Sequence, residues 1–176
     1  MLFRTTQLEG VRLIEMEPAR DERGFFARSF CVRELAAQGL ETEFVQHSVS
    51  FTARRGSIRG MHFQKPPHEE VKIVRCLRGA IRDVLIDLRV GSPTYRRWEA
   101  YELSEDNRRQ LYVPKGFAHG FQTLTPDTEV AYLISAFYAP EVASGLRHDD
   151  PAFAIAWPLP VADVSARDRG WPDFKG

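Results

Sequence analysis

The sequence predicts an all-β fold: an antiparallel sandwich or barrel, closed on itself or wound as a jelly roll. Three observations predict it. Apolar and polar side chains alternate with period two through most of the chain. The alternating segments are short and rich in Val, Ile, Phe and Tyr. Turn signals such as "RGS", "VGSPT", "PKG" and "TPDT" separate them at near-regular spacing, a pattern that argues against a parallel α/β sheet.

In chain order, the predicted strands begin with "VRLIEM" (11–16), "GFFARSF" (24–30), "EFVQHSVSF" (43–51), "SIRGMHF" (57–63) and "EVKIVRCLRG" (70–79). They continue with "AIRDVLIDLRV" (80–90), "RWEAYELS" (97–104), "RQLYVP" (109–114), "FAHGFQTL" (117–124) and "TEVAYLISAF" (128–137). One segment, "CVRELAAQGL" (31–40), reads as a short helix that ends near Gly39. Closure, or a jelly roll, deals with the exposed edges that so many strands create. The tail from Trp157, "WPLPVADVSARDRGWPDF", is punctuated by proline and is expected to wrap over the barrel as a short lid.

The 176 residues fit one domain, 1–176, long enough to bury a sizeable core. The 24 basic residues balance 24 acidic ones, so no nucleic-acid partner is expected. Cys31 and Cys76 stand far apart without CxxC spacing and read as reduced thiols of a cytoplasmic protein. No signal-peptide core and no membrane-length apolar run is visible.

Strand parity places unusual polar residues among apolar neighbours. His119 shares a face with Phe117 and Phe121, Lys72 with Val74 and Cys76, and Asp83 with Leu85 and Asp87. Buried charges must pair or line a wet cavity, so Lys72 with Asp83 is a candidate ion pair. In "SIRGMHFQ" (57–64), strict alternation puts His62 on the face of Ile58 and Gly60, with Arg59 opposite. Both reach one pocket only if the strand bulges, and Gly60 is the natural place. Tyr132, within "VAYLIS", reads by default as a core tyrosine whose hydroxyl finds a partner.

Several chemistries can be weighed against this set. None of the five histidines forms an HxH or HxxxH pair, although His62 and His119 with a carboxylate would make a three-ligand metal site. A GxSxG nucleophile elbow, a phosphate loop and a dinucleotide fingerprint are absent. Proton abstraction beside a carbonyl fits better. It needs a base, a proton donor on the opposite face and a cation for the enolate oxygen, and a histidine, a tyrosine and a lysine supply these without metal or cofactor.

The motifs "DERGFFARSF", "GSIRGMHFQ", "VKIVRCLRGAIRDVLIDLRVGSPTYRRWEAYELSEDNRRQLYVPKGFAHGF", "AYLISAFYAPE" and "DDPAFAIAWPL" together resemble dTDP-4-dehydrorhamnose 3,5-epimerases. The likeness runs from about residue 10 to about residue 168. It implies a metal-free, cupin-type jelly roll, usually a homodimer, that acts on a nucleotide sugar in deoxysugar biosynthesis. Carried over by position, it implies that His62 removes protons α to the C4 ketone, supported by Asp168. Tyr132 would donate from the opposite face and Lys72 would stabilise the enolate. Arg59 and Arg23 would hold the diphosphate, His119 and Gln46 would add polar contacts, and Tyr138 would stack on the base.

The departures fall on the nucleotide and sugar rim. After "FVQ" the family usually has Asp-Asn, where this chain has His47 and Ser48. Two residues beyond "RGFF", which ends in Phe26, a family glutamate is replaced by Arg28. Ala143, His148 and Arg167 stand where a glutamate, a tryptophan and a lysine are usual, and the loop before Ser57 is one residue longer. Phe26, Arg28, Ser48 and Arg167 therefore join the candidate substrate-binding residues. Arg28 inverts charge and hydrogen-bond polarity at its position, which opens the alternatives of a CDP-, GDP- or UDP-linked sugar, or inversion at a single centre. A catalytically silent sugar-nucleotide binding protein and a metal cupin are the remaining alternatives.

Overall fold

Two facing sheets hold the chain together, and the computed structural model describes all of residues 1–176. The strands are β1 (Leu2–Thr5), β2 (Arg12–Glu15), β3 (Ala19–Asp21), β4 (Gly24–Phe26), β5 (Gln46–Thr52), β6 (Ser57–Gln64) and β7 (Lys72–Arg78). They continue as β8 (Ala80–Asp87), β9 (Trp98–Ser104), β10 (Gln110–Val113), β11 (Phe117–Thr123), β12 (Thr128–Ile134), β13 (Ala143–Gly145) and β14 (Asp163–Val164). The helices are α1 (Val32–Ala37) and α2 (Ala166–Arg169).

The first sheet has the order β1-β2-β10-β7-β12-β5, and the second β13-β6-β11-β8-β9 with β14 added in parallel on β6. The β3–β4 hairpin forms a separate ribbon. Between the sheets the inward residues interdigitate: Val74 and Cys76 of β7, Val130 of β12, Ile81 and Leu85 of β8, Phe117 and Phe121 of β11. Burying each large apolar side chain here contributes about 1.5–3 kcal/mol. This sandwich of antiparallel strands, with few helical residues, is the predicted fold.

The outer faces are covered too. α1 lays Leu35 on Ile14, Val71, Ile73 and Tyr112 of the first sheet. It gives way to Gly39, whose φ of 67° suits the turn that ends a helix. Leu146 and Phe153 cover Met61, Val84, Ile86 and Ala118 on the second sheet, with Trp157 and Phe174 packed alongside. β11 is consequently buried along its whole length. The tail therefore lies flat on the outside of the second sheet instead of forming a lid, and its segment from Asp163 to Asp168 reaches the rim of the inter-sheet cavity.

The predicted bulge is present. His62 faces His119 and Arg59 faces Phe121, so the register advances three residues on β6 for two on β11. Gly60 adopts φ 134°, and a Cβ there would lie 2.4 Å from Gly120 Cα. The two backbones touch, which leaves no room for a side chain at either glycine. The extra residue brings Arg59 and His62 to the same cavity.

All ten predicted segments contain a strand, with "GFFARSF" reduced to Gly24–Phe26. β1, β3, β13 and β14 are additional, and there are two short helices where the sequence suggests one. These pieces are too short for a period to register. α2 is a single turn capped by Ser165, whose Oγ accepts from Asp168 N at 3.0 Å.

Candidate active site

A cavity of about 690 Å³ opens between the sheets. β6 and β11 of the second sheet supply Arg59, His62 and His119; β5, β7 and β12 of the first supply Ser50, Lys72 and Tyr132. The polar groups thus stand on two opposed walls.

On one wall, His62 Nε2 lies 2.6 Å from Asp168 Oδ1. Burial works to raise the Asp168 carboxyl. The hydrogen bond and charge of His62, with contacts from Ser165 and the Gly60 backbone, outweigh it and hold the group below the usual carboxylate range. An ionised Asp168 accepts from Nε2–H, which leaves Nδ1 of His62 free. The His62 side chain is 43% exposed and that of Asp168 only 6%, so the histidine meets solvent while its carboxylate does not.

On the other wall, the Tyr132 hydroxyl lies 3.2 Å from Ser50 Oγ. Burial pushes this phenol strongly upward, and the Ser50 contact offsets only part of that. The rings of His119 and Tyr132 meet edge to face with centroids 6.4 Å apart, where the two walls approach. Lys72 Nζ pairs with Glu70 Oε1 at 2.8 Å, both side chains nearly buried.

The ion pair of Lys72 with Asp83 is not formed. Lys72 sits at the start of β7 and takes Glu70, which lies two residues ahead of it, just before the strand. Asp83 lies on the opposite sheet, 2.8 Å from His119 Nε2, at ion-pair distance but without hydrogen-bond alignment. Asp87, also on β8, turns away to accept from Arg89, Ser92 and Thr94 at the strand end.

Arg59 is steadied by Thr52 Oγ1 at 2.8 Å and Phe51 O at 2.9 Å. Gln46 Oε1 accepts from Tyr138 N at 3.0 Å, and Arg167 donates to the Tyr138 hydroxyl at 3.4 Å, so these three residues form one rim. Ser48 lines the same side.

The structure therefore brings ten of the sequence candidates to one cavity: His62, Lys72, Tyr132, Asp168, Gln46, Ser48, Arg59, His119, Tyr138 and Arg167. Arg23, Phe26 and Arg28 do not line it. Arg23 pairs with Asp21 on the exposed hairpin, Phe26 is 81% exposed, and Arg28 pairs with Glu34. His62 and His119 each face their own carboxylate, and no three His, Cys, Asp or Glu side chains converge as a metal site. Ser50 and Glu70 were not singled out by sequence. Each lies two residues from a candidate, Ser48 or Lys72, which on an extended strand means the same face.

Polar, proton-bearing side chains on opposed walls of an antiparallel sandwich suit the class of cupin-type carbohydrate epimerases, which are isomerases. A family model described as dTDP-4-dehydrorhamnose 3,5-epimerase matches residues 5–176, and the chain belongs to that family. A dTDP-4-dehydrorhamnose 3,5-epimerase of Sinorhizobium fredii is 44% identical over 99% of this chain and 90% of its own. A crystal structure of the dTDP-4-dehydrorhamnose 3,5-epimerase of Bacillus anthracis, with TDP and PPi bound, superposes with a TM-score of 0.95 at 43% identity, covering 98% of this chain and 99% of that one. A dTDP-4-dehydrorhamnose 3-epimerase of Streptomyces niveus is 39% identical over 96% of this chain and 82% of its own.

Proposed function

We propose that this protein inverts C3 and C5 of a dTDP-linked 4-keto-6-deoxyhexose, converting a dTDP-4-dehydro-6-deoxyglucose to a dTDP-4-dehydrorhamnose. The observation that carries the reading is the placement of His62 and Tyr132 on opposed sheets. A sugar ring between them offers one face to a base and the other to an acid, and that is the geometry inversion requires.

The C4 ketone acidifies the hydrogens on C3 and C5. His62 Nδ1 takes one of them, and Asp168 stabilises the imidazolium that forms. The electron pair moves onto the C4 oxygen, where the Lys72 ammonium, held by Glu70, stabilises the enolate with His119 close by. Tyr132 then protonates the carbon from the other face. Arg59 and Arg167 at the rim suit the diphosphate, and Tyr138 offers an exposed ring to the base.

Two further elements belong to this reading. The exposed Phe26, Val49, Phe51 and Leu77 support a homodimer, which sedimentation equilibrium tests. The binding role proposed for Arg23, Phe26 and Arg28 then depends on the partner subunit, since these residues stand off their own cavity. The free thiols of Cys31 and Cys76 support a cytoplasmic setting.

Proton NMR in D₂O with dTDP-4-keto-6-deoxyglucose tests the function. Deuterium entering both C3 and C5 is expected. Incorporation at one carbon would make this a single-centre epimerase, like the Streptomyces niveus relative; none at all would overturn the assignment. The altered rim calls for kcat/KM across dTDP-, CDP-, GDP- and UDP-linked sugars, with preference for dTDP expected.

A further inference from the structure

Double inversion places unequal demands on the two proton-transfer groups. After each inversion His62 carries one proton too many and Tyr132 one too few. His62 is 43% exposed at the side chain and exchanges its proton with solvent directly. Tyr132 lies against the central core and has one side-chain hydrogen-bond partner, the Ser50 hydroxyl at 3.2 Å. Burial also makes a lingering tyrosinate costly, so the proton must be replaced quickly.

Ser50 is placed to do this. It sits on β5, the edge strand of the first sheet, half-buried in the cavity wall. Its side chain is partly exposed to the cavity, so cavity water can approach it. A hydroxyl both donates and accepts, so it passes a proton on without accumulating charge.

We propose that Ser50 is the proton relay that recharges Tyr132 between the two inversions, with solvent water as the proton source. This rests on the double-inversion reading above. In the step, the Tyr132 O–H bond breaks as the new C–H bond forms, leaving a tyrosinate. The Ser50 Oγ–H proton moves to Tyr132 Oη, and Ser50 takes a proton from water. The hydroxide so formed is neutralised by the proton that His62 releases, and both walls return to their starting state. Ser50 acts through Tyr132 and need not touch the substrate.

The test compares Ser50→Ala and Ser50→Thr with the wild type, by quenched time courses read by NMR. Ser50→Ala should lower kcat about tenfold or more with KM little changed, and a singly inverted sugar should accumulate before the doubly inverted one. Ser50→Thr keeps the hydroxyl and should restore the wild-type course. Thermal melts of both variants check folding. Wild-type turnover by Ser50→Ala without an accumulating intermediate would overturn the relay. So would a parallel loss of binding and activity in both variants, which would mark Ser50 as structural. A wild type that inverts only one centre would sink the double-inversion reading alone; the relay would then show as a normal first turnover followed by slowed later ones.

Discussion

His62 and Asp168 are 106 residues apart in the chain and 2.6 Å apart in space. The contact forms because the tail is tied down on both sides of Asp168. Ahead of it, the buried Gln122 side chain accepts from Leu159 N at 3.1 Å and donates to Leu159 O at 3.0 Å. Beyond it, Asp150 Oδ2 accepts from Phe174 N at 2.7 Å, and Arg147 pairs with Asp173 at 2.7 Å.

Removing the proposed base, His62, should stop the chemistry and leave the fold in place. His62→Ala should lower deuterium wash-in at C3 and C5 by roughly 10²–10⁴-fold. Asp168→Asn should cost less, since Nδ1 remains available but Nε2 loses its carboxylate. In the wild type kcat/KM should fall on the acid side, because a protonated His62 cannot accept. A flat profile there would remove His62 from the role.

Tyr132→Phe separates exchange from inversion. Proton abstraction by His62 continues, so deuterium still enters from that face, while completed inversion falls by roughly 10²-fold or more. Normal product formation by this variant would show that another group donates.

Acid stability should carry the signature of Asp87. Burial alone would raise this carboxyl, but bonds from Arg89, Ser92 and Thr94 bring it down to about 2. A folded value below the unfolded ~3.9 stabilises the protein above about pH 4 by about 2 kcal/mol, and that share is lost as pH falls toward 2. Asp87→Asn should lose it at pH 7 and flatten stability across that acid window, measured by urea unfolding at each pH. An unchanged pH dependence would contradict the assignment.

The glycine pair should tolerate nothing larger. At Gly60 an added Cβ meets Gly120 Cα at 2.4 Å, and backbone cannot rotate away as a side chain would. Gly60→Ala should destabilise by about 3 kcal/mol or more, at or above the upper end of the usual range for overpacking. Its activity should fall with it, because the bulge sets both Arg59 and His62. A melting temperature equal to the wild type would refute the close approach.

Asp150→Ala tests the far tether. It strips acceptors from the Ala152 and Phe174 amides, at about 1–3 kcal/mol for each one left buried. Both melting temperature and kcat/KM should drop, whereas His62→Ala should lower activity alone. Full activity after Asp150→Ala would mean that Asp168 is placed by Ser165 and β14 without the Asp150 tether.

Much of this site was legible before the fold was known. Period-two parity put His119 and Lys72 on inward faces, and a glycine inside a strand announced the bulge at Gly60. Ser50 and Glu70 went unmarked because serine and glutamate in or beside a strand usually face water. Their significance lies in the partners they meet: Ser50 reaches Tyr132 on the neighbouring strand, and Glu70 pairs with Lys72 two residues on. The Lys72–Asp83 pairing failed for the same reason: parity says which face a side chain occupies, but not which sheet faces it.

By itself the sequence determined ten of the fourteen strands, their inward faces, the place of the bulge and the resemblance that named the family. These follow from local alternation and local backbone sterics, which neighbouring residues fix. Only the tertiary structure decided that His62 and Tyr132 occupy opposed walls, that the tail lies on the second sheet and delivers Asp168, and that Arg23, Phe26 and Arg28 stand away from the cavity of their own chain. Those outcomes depend on sheet order and on contacts between distant segments, which are settled by how the sheets close over a shared core.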